Sequence, residues 1–297
     1  MRKSIGLYDV SIWKILPFLS LPLALYLFIV VAPLVGAIYY SMNSVVGSTL
    51  HWIGFGNYAQ LLDDPIFWLS LKNNFILILV SIMFQLGPAF VIMALMAADL
   101  AHFKDTVRSI FFFPCVIAPV VIGYIWRVMY NPEFGLINQT LSAFGLHSLE
   151  KNWLGDPKTI MLSVSLPMAW QYIGFFLVIL LAGYTSINPD LVEAAEIDGA
   201  SPSQRTRYVV WPLLRNTVNI CVLLCVAGGL KIFDQIYALS DGGPGYSSTV
   251  LALYAYIQSF IQTSFGYGTT ISIFVFLVGL LVVSLLMLVR RSESYND

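Results

Sequence analysis

Residues 193–216 read EAAEIDGASPSQRTRYVVWPLLRN, a polar stretch between two long apolar segments. It predicts two helices joined by a turn. Pro189 and Asp190 suit a helix start, because proline fits the first turn and an acid there meets the positive end of the helix dipole. Gly199 permits the backbone conformation that ends this helix. Ser201, followed by a proline, can cap the start of a second short helix.

The surface of this stretch is small and nearly bare. Ala194, Ala195 and Ala200 would let a groove of another protein approach the backbone closely. The same composition also suits an ordinary amphipathic loop at a membrane surface, and the residues by themselves leave both interpretations open.

The composition indicates an integral membrane protein. Of the 297 residues, 58% are hydrophobic and only 10% are charged, whereas soluble domains carry about 25% charged residues. The net charge of −1 and the lack of a basic cluster argue against nucleic-acid binding. Cys115, Cys221 and Cys225 fall inside apolar segments, so we expect small apolar fillers there, neither disulfides nor a metal site.

Six segments are long and apolar enough to cross a bilayer, which takes about 20 residues each. We therefore expect an all-α integral membrane protein with six transmembrane helices. The first segment is too long for a signal-peptide core and lacks a small-residue cleavage site, so we expect it to remain attached. The predicted spans are Ile15–Tyr40, Asn73–Ala98, Val107–Tyr130, Thr159–Tyr184, Leu213–Tyr237 and Thr269–Val289.

The basic residues indicate the orientation. Ten lie on the side of the termini and only three, Lys72, Lys151 and Lys158, lie in the opposite loops, so the positive-inside rule places both termini in the cytoplasm. The ten are Arg2, Lys3, Lys14, Lys104, Arg108, Arg205, Arg207, Arg215, Arg290 and Arg291.

No enzyme constellation is present in the sequence. His51, His102 and His147 fall in three separate loops, so they cannot assemble a triad or a metal cage. A glycine-rich phosphate loop followed by Lys and Ser or Thr is also missing. We therefore expect a chain that is not a catalyst by itself and holds no metal.

Two charged residues near the end of the fifth predicted span are candidates for a solute path, because charge inside a membrane is costly and is usually functional. Lys231 and Asp234 stand three apart, which would put them on one helix face. Gly229 just before them would allow a close approach. They could form a polar wall of a cavity or a structural ion pair, and both interpretations stay open.

The fourth predicted span contributes a second set of candidates. Trp170 and Tyr172 offer aromatic faces and Gln171 offers an amide, a combination that suits a sugar. Aromatic residues in membrane helices also serve packing or face lipid, and the sequence does not separate these roles.

The polar stretch resembles the "EAA" loop of binding-protein-dependent ABC importer permeases. Glu193-Ala194-Ala195, the Ile197-Asp198-Gly199-Ala200 run, Val209 and Pro212 stand in the register of that loop. Three outward loops resemble those of the sugar-import branch, in the same order. The loop with Gly242-Gly243-Pro244 looks like that of the first permease subunit of the maltose or glycerol-3-phosphate type, and not like that of its shorter-looped partner. The three loops contain Phe55-Gly56-Asn57-Tyr58, Gly135-Leu136-Ile137-Asn138 and Gly242-Gly243-Pro244.

The resemblance implies the type I ABC importer permease fold and a division of the chain. Residues 1–14 would be a cytoplasmic N-terminus, 15–40 the first transmembrane helix, and 291–297 a cytoplasmic tail. Residues 73–290 would form a five-helix permease core with a cytoplasmic coupling loop at 188–212. The residues implied to contact and couple to an ATPase are Glu193, Ala194, Ala195, Asp198 and Gly199, with Glu193 as the principal contact.

The resemblance also implies partners and a function. The partners would be a dimer of ATP-binding subunits, a second homologous permease in a heterodimer, an extracytoplasmic solute-binding protein and the lipid bilayer. ATP and Mg would bind at the ATPase and no cofactor at this chain. The function implied is ATP-driven import of a sugar, oligosaccharide or related polyol across a bacterial or archaeal plasma membrane.

Two other functions remain in view at this point. An ion- or proton-coupled secondary carrier would act without an ATPase, but it would be expected to show inverted repeats or midplane acids, and neither is evident. A purely structural membrane scaffold would leave the polar stretch without a purpose. Which sugar or polyol is carried cannot be decided from the residues.

Overall fold

The computed structural model describes residues 12–46, 49–98 and 103–293. Arg2 and Lys3, used above for orientation, and His102 lie outside the described residues. Within them the chain is helical, apart from one antiparallel hairpin of β1 (Asn43–Val46) and β2 (Thr49–Trp52).

Five helices are long and apolar enough to cross a membrane, and a sixth span results if a bent pair is counted as one. This agrees with the predicted number of six. The five are Leu16–Ser41, Pro65–Ala97, Ile160–Thr185, Pro202–Lys231 and Phe265–Leu285, and the bent pair is Lys104–Val116 with Pro119–Met129.

The helices follow one another along the chain with short connections. In order they are α1 (Ile12–Tyr26), α2 (Ala32–Ser41), α3 (Gly56–Asp63), α4 (Pro65–Ser81), α5 (Gly87–Ala97), α6 (Lys104–Val116), α7 (Pro119–Met129), α8 (Leu136–Ala143), α9 (Ile160–Thr185), α10 (Pro189–Ile197), α11 (Pro202–Arg205), α12 (Trp211–Lys231), α13 (Asp234–Ser240), α14 (Leu251–Tyr256) and α15 (Phe265–Glu293). A 3₁₀ turn covers His147–Leu149. Four π-helical turns cover Leu27–Val31, Ile82–Leu86, Thr206–Val210 and Ile257–Ile261.

Three of the π turns allow a span to continue past a proline. Pro33, Pro88 and Pro212 each occupy the second position of the helix that follows such a turn. A proline removes an N–H and clashes with the carbonyl four residues before it. In each case the residue before the proline donates to a carbonyl five residues earlier, as Trp211 does to Thr206. The wider turn relieves the clash, so each span stays continuous.

The third predicted span, Val107–Tyr130, is not one straight helix. It is bent by 94° between α6 and α7. The cause is Pro119, because the residue before a proline avoids the helical conformation, and Ala118 is extended with ψ of 135°. The prediction of a continuous helix was wrong at this point.

The fifth predicted span also ends earlier than expected, at Lys231 and not at Tyr237. Ile232 and Phe233 leave the helical conformation, and Asp234 begins the separate helix α13. Lys231 and Asp234 therefore do not share one helix face, which corrects the prediction. A short apolar helix over residues 251–261 was not predicted.

The halves of the bent third span pack on different neighbours. Gly174 on α9 lies so close to α6 that an added Cβ would overlap the carbonyl of Phe111. Gly123 on α7 faces α13, where an added Cβ would lie 2.7 Å from the Ala238 Cβ. Lipid supplies no hydrophobic driving force between helices, so small residues that permit close packing provide much of the attraction.

Buried side chains form three clusters along the bundle. One lies between α5, α9 and α12, around Met93 and Leu177. A second lies between α4, α9 and α13, around Leu77 and Ile236. The third joins α4, α14 and α15. The apolar window of the first span buries no residue inside the chain, but the end of this span packs on α15, where Thr270 donates to the carbonyl of the buried Ser41.

Asp64 joins three helices at the start of the second span. Its Oδ1 accepts from the N–H groups of Ile66 at 2.8 Å and Phe67 at 3.3 Å, which caps α4. Its Oδ2 accepts from the hydroxyls of Tyr254 and Tyr267, both at 2.5 Å. Partial burial raises the pKa of Asp64, but these hydrogen bonds outweigh it and hold the pKa below its usual value. The cap begins α4 at Pro65, eight residues before the predicted Asn73.

We expect Asp64→Ala to lower the free energy of unfolding by about 2–3 kcal/mol, because it removes a helix cap and two charge-assisted hydrogen bonds. Thermal unfolding of the purified protein in detergent would measure the loss. The pKa of Asp64 is depressed by folding, so its contribution is present above the unfolded pKa of about 4 and fades as the pH falls below it. The difference in the free energy of unfolding between wild type and variant should therefore become smaller in acid. Asp63→Ala, at an exposed neighbour, serves as the control.

Candidate functional site

The polar stretch forms an elbow, residues 188–205, made of α10, a glycine turn and α11. Asn188 caps α10, since its Oδ1 accepts from the N–H of Asp190 at 3.1 Å. Gly199 has φ of +81°, and its N–H donates to Glu196 while the next N–H donates to Ala195, both at 3.0 Å. This hydrogen-bond pair is a Schellman motif, which satisfies the last carbonyls of a helix. The predicted start and end of α10 are confirmed.

The second half of the elbow is held by a capping box. The N–H of Gln204 donates to the Ser201 hydroxyl at 3.3 Å, and the N–H of Ser201 donates to the Gln204 side chain at 2.8 Å. The Arg205 guanidinium lies 2.5 Å from the Glu196 carboxylate and ties α11 back to α10. Ser201 was predicted as the cap, whereas the box and the ion pair were not.

The outer surface of the elbow is exposed. No residue of α10 is buried, and Ile197 at its tip is 86% exposed. Glu193, Ala194 and Asp198 are exposed and Ala195 is half-buried. Since the hydrogen bonds of the elbow are made internally, its outer face presents an apolar tip, small side chains and carboxylates to the surroundings.

A cavity of about 400 Å³ lies among α4, α9 and α12, at the two places where spans are broken. We call it the break cavity. It is lined by Ser81, Gln85, Pro119, Met168, Tyr172, Phe175, Phe176, Leu224, Cys225, Ala227, Gly228, Gly229, Lys231, Ile232, Phe233, Asp234 and Gln235. The lining is mostly apolar, with one cation and one anion.

Side-chain amides satisfy the backbone at both breaks. Gln171, fully buried on α9, donates to the carbonyl of Ile117 at 2.8 Å, where α6 ends. Asn74 on α4 donates to the carbonyl of Gly229 at 2.6 Å and accepts from the N–H of Leu251 at 2.9 Å. A backbone polar group left without a partner in the membrane would cost several kcal/mol, so these amides allow the breaks to exist.

The predicted path residues separate into two groups. Tyr172, Gly229, Lys231 and Asp234 all line the break cavity. Trp170 and Gln171 do not line it.

Trp170 and Gln171 have other surroundings. Trp170 is 43% exposed, with its ring centroid 6.2 Å from that of Trp126. Gln171 supports the bend of the third span, as described above.

Lys231 and Asp234 are both exposed, and among the described ion pairs none joins them. No Lys231–Asp234 ion pair is formed in this structure.

Four further polar residues were missed by the sequence analysis, and three of them, Ser81, Gln85 and Gln235, line the cavity. Gln85 donates to the carbonyl of Met168 at 2.9 Å and accepts from the Ser81 hydroxyl at 2.5 Å. Asn73 donates to two carbonyls of the loop that follows α13, and Gln235 lies in the first turn of α13. Ser81 and Gln85 stand in a long apolar run, and that pattern could have identified them, whereas Asn73 and Gln235 each follow a charged residue. The described residues contain no cluster of three potential metal ligands.

Broken apolar helices around a cavity, together with an exposed polar elbow, define the class of multi-span membrane transport proteins. A family model described as "Binding-protein-dependent transport system inner membrane component" matches residues 65–293. The chain belongs to this family, which confirms the resemblance noted from residues 193–212.

Similar proteins cover most of the chain. A probable ABC transporter permease protein of Pyrococcus horikoshii is 38% identical over 238 residues, which are 78% of this chain and 80% of the relative. The trehalose/maltose transport system permease protein of Thermococcus litoralis is 31% identical over 268 residues, covering 89% and 88%. A crystal structure of a bacterial alginate ABC transporter, in complex with an alginate pentasaccharide-bound periplasmic protein, contains a chain with a TM-score of 0.81. It is 23% identical and covers 92% of each chain, and this likeness confirms the predicted type I permease fold.

We expect Asn74→Leu to destabilise the protein by about 2–4 kcal/mol, because it leaves the Gly229 carbonyl and the Leu251 N–H buried without partners. Thermal unfolding in detergent would measure the effect. Asn216→Leu makes the same change at an exposed position of α12 and should leave the unfolding temperature nearly unchanged. Equal behaviour of the two variants would contradict the role assigned to Asn74.

Proposed function

We propose that this chain is a permease subunit of an ATP-driven importer that takes up a carbohydrate delivered by an extracytoplasmic solute-binding protein. The carbohydrate class is supported by the similar proteins, one named for trehalose and maltose transport and one for alginate transport. Membership of a family of binding-protein-dependent inner membrane components supports the delivery step.

One observation carries the mechanism: a single continuous span links the elbow to the break cavity. The helix over Pro202–Lys231 has 30 residues, or about 45 Å at 1.5 Å per residue. It begins as α11 in the elbow, passes through the π turn at Thr206–Val210 and ends at Lys231 on the wall of the cavity. A displacement of the elbow would therefore move one wall of the cavity.

The elbow combines a fixed shape with an exposed face, which is what a segment moved by a partner requires. Its internal hydrogen bonds and the Glu196–Arg205 pair keep its shape, while its outer face is exposed. We propose that Glu193, Ala194, Ala195, Asp198 and Gly199 form the contact with an ATP-binding subunit, and that closure of the ATPase dimer pushes the elbow. ATP and Mg would then bind the partner, and this chain would have no catalytic role of its own.

We propose the remaining partners on the same grounds. A second, homologous permease would complete the membrane unit, and both termini together with the elbow would lie in the cytoplasm of a bacterial or archaeal cell. The solute would pass through the break cavity, with Tyr172, Gly229, Lys231 and Asp234 on its wall.

The coupling step can be tested at the glycine turn. Gly199→Val should reduce ATP-stimulated uptake at least roughly tenfold, since a β-branched residue at positive φ introduces strain of about 1–3 kcal/mol at the turn. No heavy atom lies within 4 Å of an added Cβ, so the effect would come from the backbone and not from a clash. Uptake by proteoliposomes that contain the complete complex would measure it.

Gly199→Asn is the matched control, because asparagine tolerates positive φ better than other residues. It should retain most of the uptake, and both variants should insert into the membrane at wild-type amounts. Full activity of Gly199→Val would exclude the elbow from the coupling mechanism.

The solute path can be tested at Lys231. Lys231→Ala should raise the KM for uptake roughly tenfold through loss of a charged hydrogen-bond donor, while copurification with the ATP-binding subunits stays unchanged. Lys158→Ala, in the loop before α9, controls for the loss of a charge. An unchanged KM in Lys231→Ala would remove this residue from the path.

A further inference from the structure

Gln235 is a buried polar residue whose role the fold does not explain. It lies in the first turn of α13, is only 2% exposed and lines the break cavity. Its Nε2 has no hydrogen-bond partner in the described part of the chain. A buried donor without a partner is costly, so a native structure that keeps one calls for an explanation.

Other buried amides of the membrane segments differ from Gln235 in this respect. Asn73, Asn74, Gln85 and Gln171 each donate from their side-chain nitrogen to a backbone carbonyl. Among the described residues, Gln235 has the only buried side-chain nitrogen without a partner.

Three other unpartnered buried atoms belong to Ser70, Tyr130 and Gln171, and none of these residues lines the cavity. The free donor of Gln235 is therefore placed where a transported molecule could meet it.

The charges of the cavity restrict what that molecule offers to Gln235. Lys231 and Asp234 are the only charged residues in the lining, and their charges cancel. A lining without net charge favours a neutral group over an ion, because an ion would lose its hydration without a compensating charge. An uncharged oxygen, such as a hydroxyl or an acetal oxygen, accepts a hydrogen bond from an amide.

We infer that Gln235 is a specificity residue, which donates a hydrogen bond from Nε2 to an uncharged oxygen of the solute in the break cavity. This inference rests on the proposed carbohydrate import, since it assigns a contact within that path. A site built to hydrogen-bond its substrate discriminates strongly against analogues that lack the matching group. The donor has no partner among the described protein groups, so an oxygen of the solute would complete its hydrogen bonding.

The test replaces the donor without changing the shape of the side chain. Gln235→Met and Gln235→Glu would each be placed in the complete complex in proteoliposomes, with its own solute-binding protein. The probes would be radiolabelled neutral mono-, di- and trisaccharides and the corresponding uronates. Both variants should raise the KM for a neutral sugar about tenfold, as expected for one lost hydrogen bond. Gln235→Met should not lower the unfolding temperature, because it removes no internal hydrogen bond of Nε2.

Tyr130→Phe is the control variant, because it also removes a buried, unpartnered polar group but one outside the cavity. Its KM should equal that of the wild type. Two results would overturn this inference and leave the proposed function standing. The first is an unchanged KM in both Gln235 variants, and the second is a lower unfolding temperature with no change in KM. Wild-type preference for the uronates would contradict the assignment of an uncharged oxygen as the acceptor. A wild-type complex that takes up none of these sugars with ATP would overturn the proposed function, and this inference with it.

Discussion

The structure depends on one constraint: within a bilayer, every backbone polar group released by a broken helix needs a partner from the protein itself. The third and fifth spans are both broken, and side-chain amides supply the partners. Gln171 holds the carbonyl at the end of α6, and Asn74 holds the Gly229 carbonyl near the end of α12. The break cavity exists because these amides stabilise its walls.

The same constraint applies to the prolines at the π turns and at the bend. Where a span must continue, as before Pro88 and Pro212, a π turn widens the helix and moves the hydrogen bond to the fifth residue back. Where a span must bend, as before Pro119, the residue before the proline becomes extended and a neighbouring side chain takes the freed carbonyl. At these positions one residue type gives two outcomes, whereas Pro114 and Pro167 lie inside α-helices.

Much of the fold could be predicted from the sequence. The apolar runs of this chain are longer than the helices of soluble proteins usually are. The number of spans therefore follows from the length and composition of these runs alone. The elbow could be predicted in some detail because its signals are local, with Pro189, Gly199 and Ser201 each acting within a few residues of its own backbone. Tyr172, Gly229, Lys231 and Asp234, chosen from the sequence, also line one cavity. They could be chosen because polar groups are rare in these spans.

The errors have two causes: hydropathy takes no account of a proline such as Pro119, and the other deciding contacts are distant in sequence. Hydropathy cannot show a bend at Ala118, because both halves of the span are apolar. The break after Lys231 depends on Asn74, about 155 residues earlier, and no local pattern reveals that contact. Spacing on an ideal helix placed Lys231 and Asp234 on one face, and this failed because the helix does not continue between them. Trp170 and Gln171 could not be separated from Tyr172 for the same reason, since which face of α9 meets the cavity is set by packing with α6.

The elbow has a consequence for how the assembly forms. Asn188, Ser201, Gln204 and the Schellman turn complete its hydrogen bonds within fewer than twenty residues of chain. Under the proposed function, a docking subunit would therefore meet a preorganised element and would lose little free energy to ordering it.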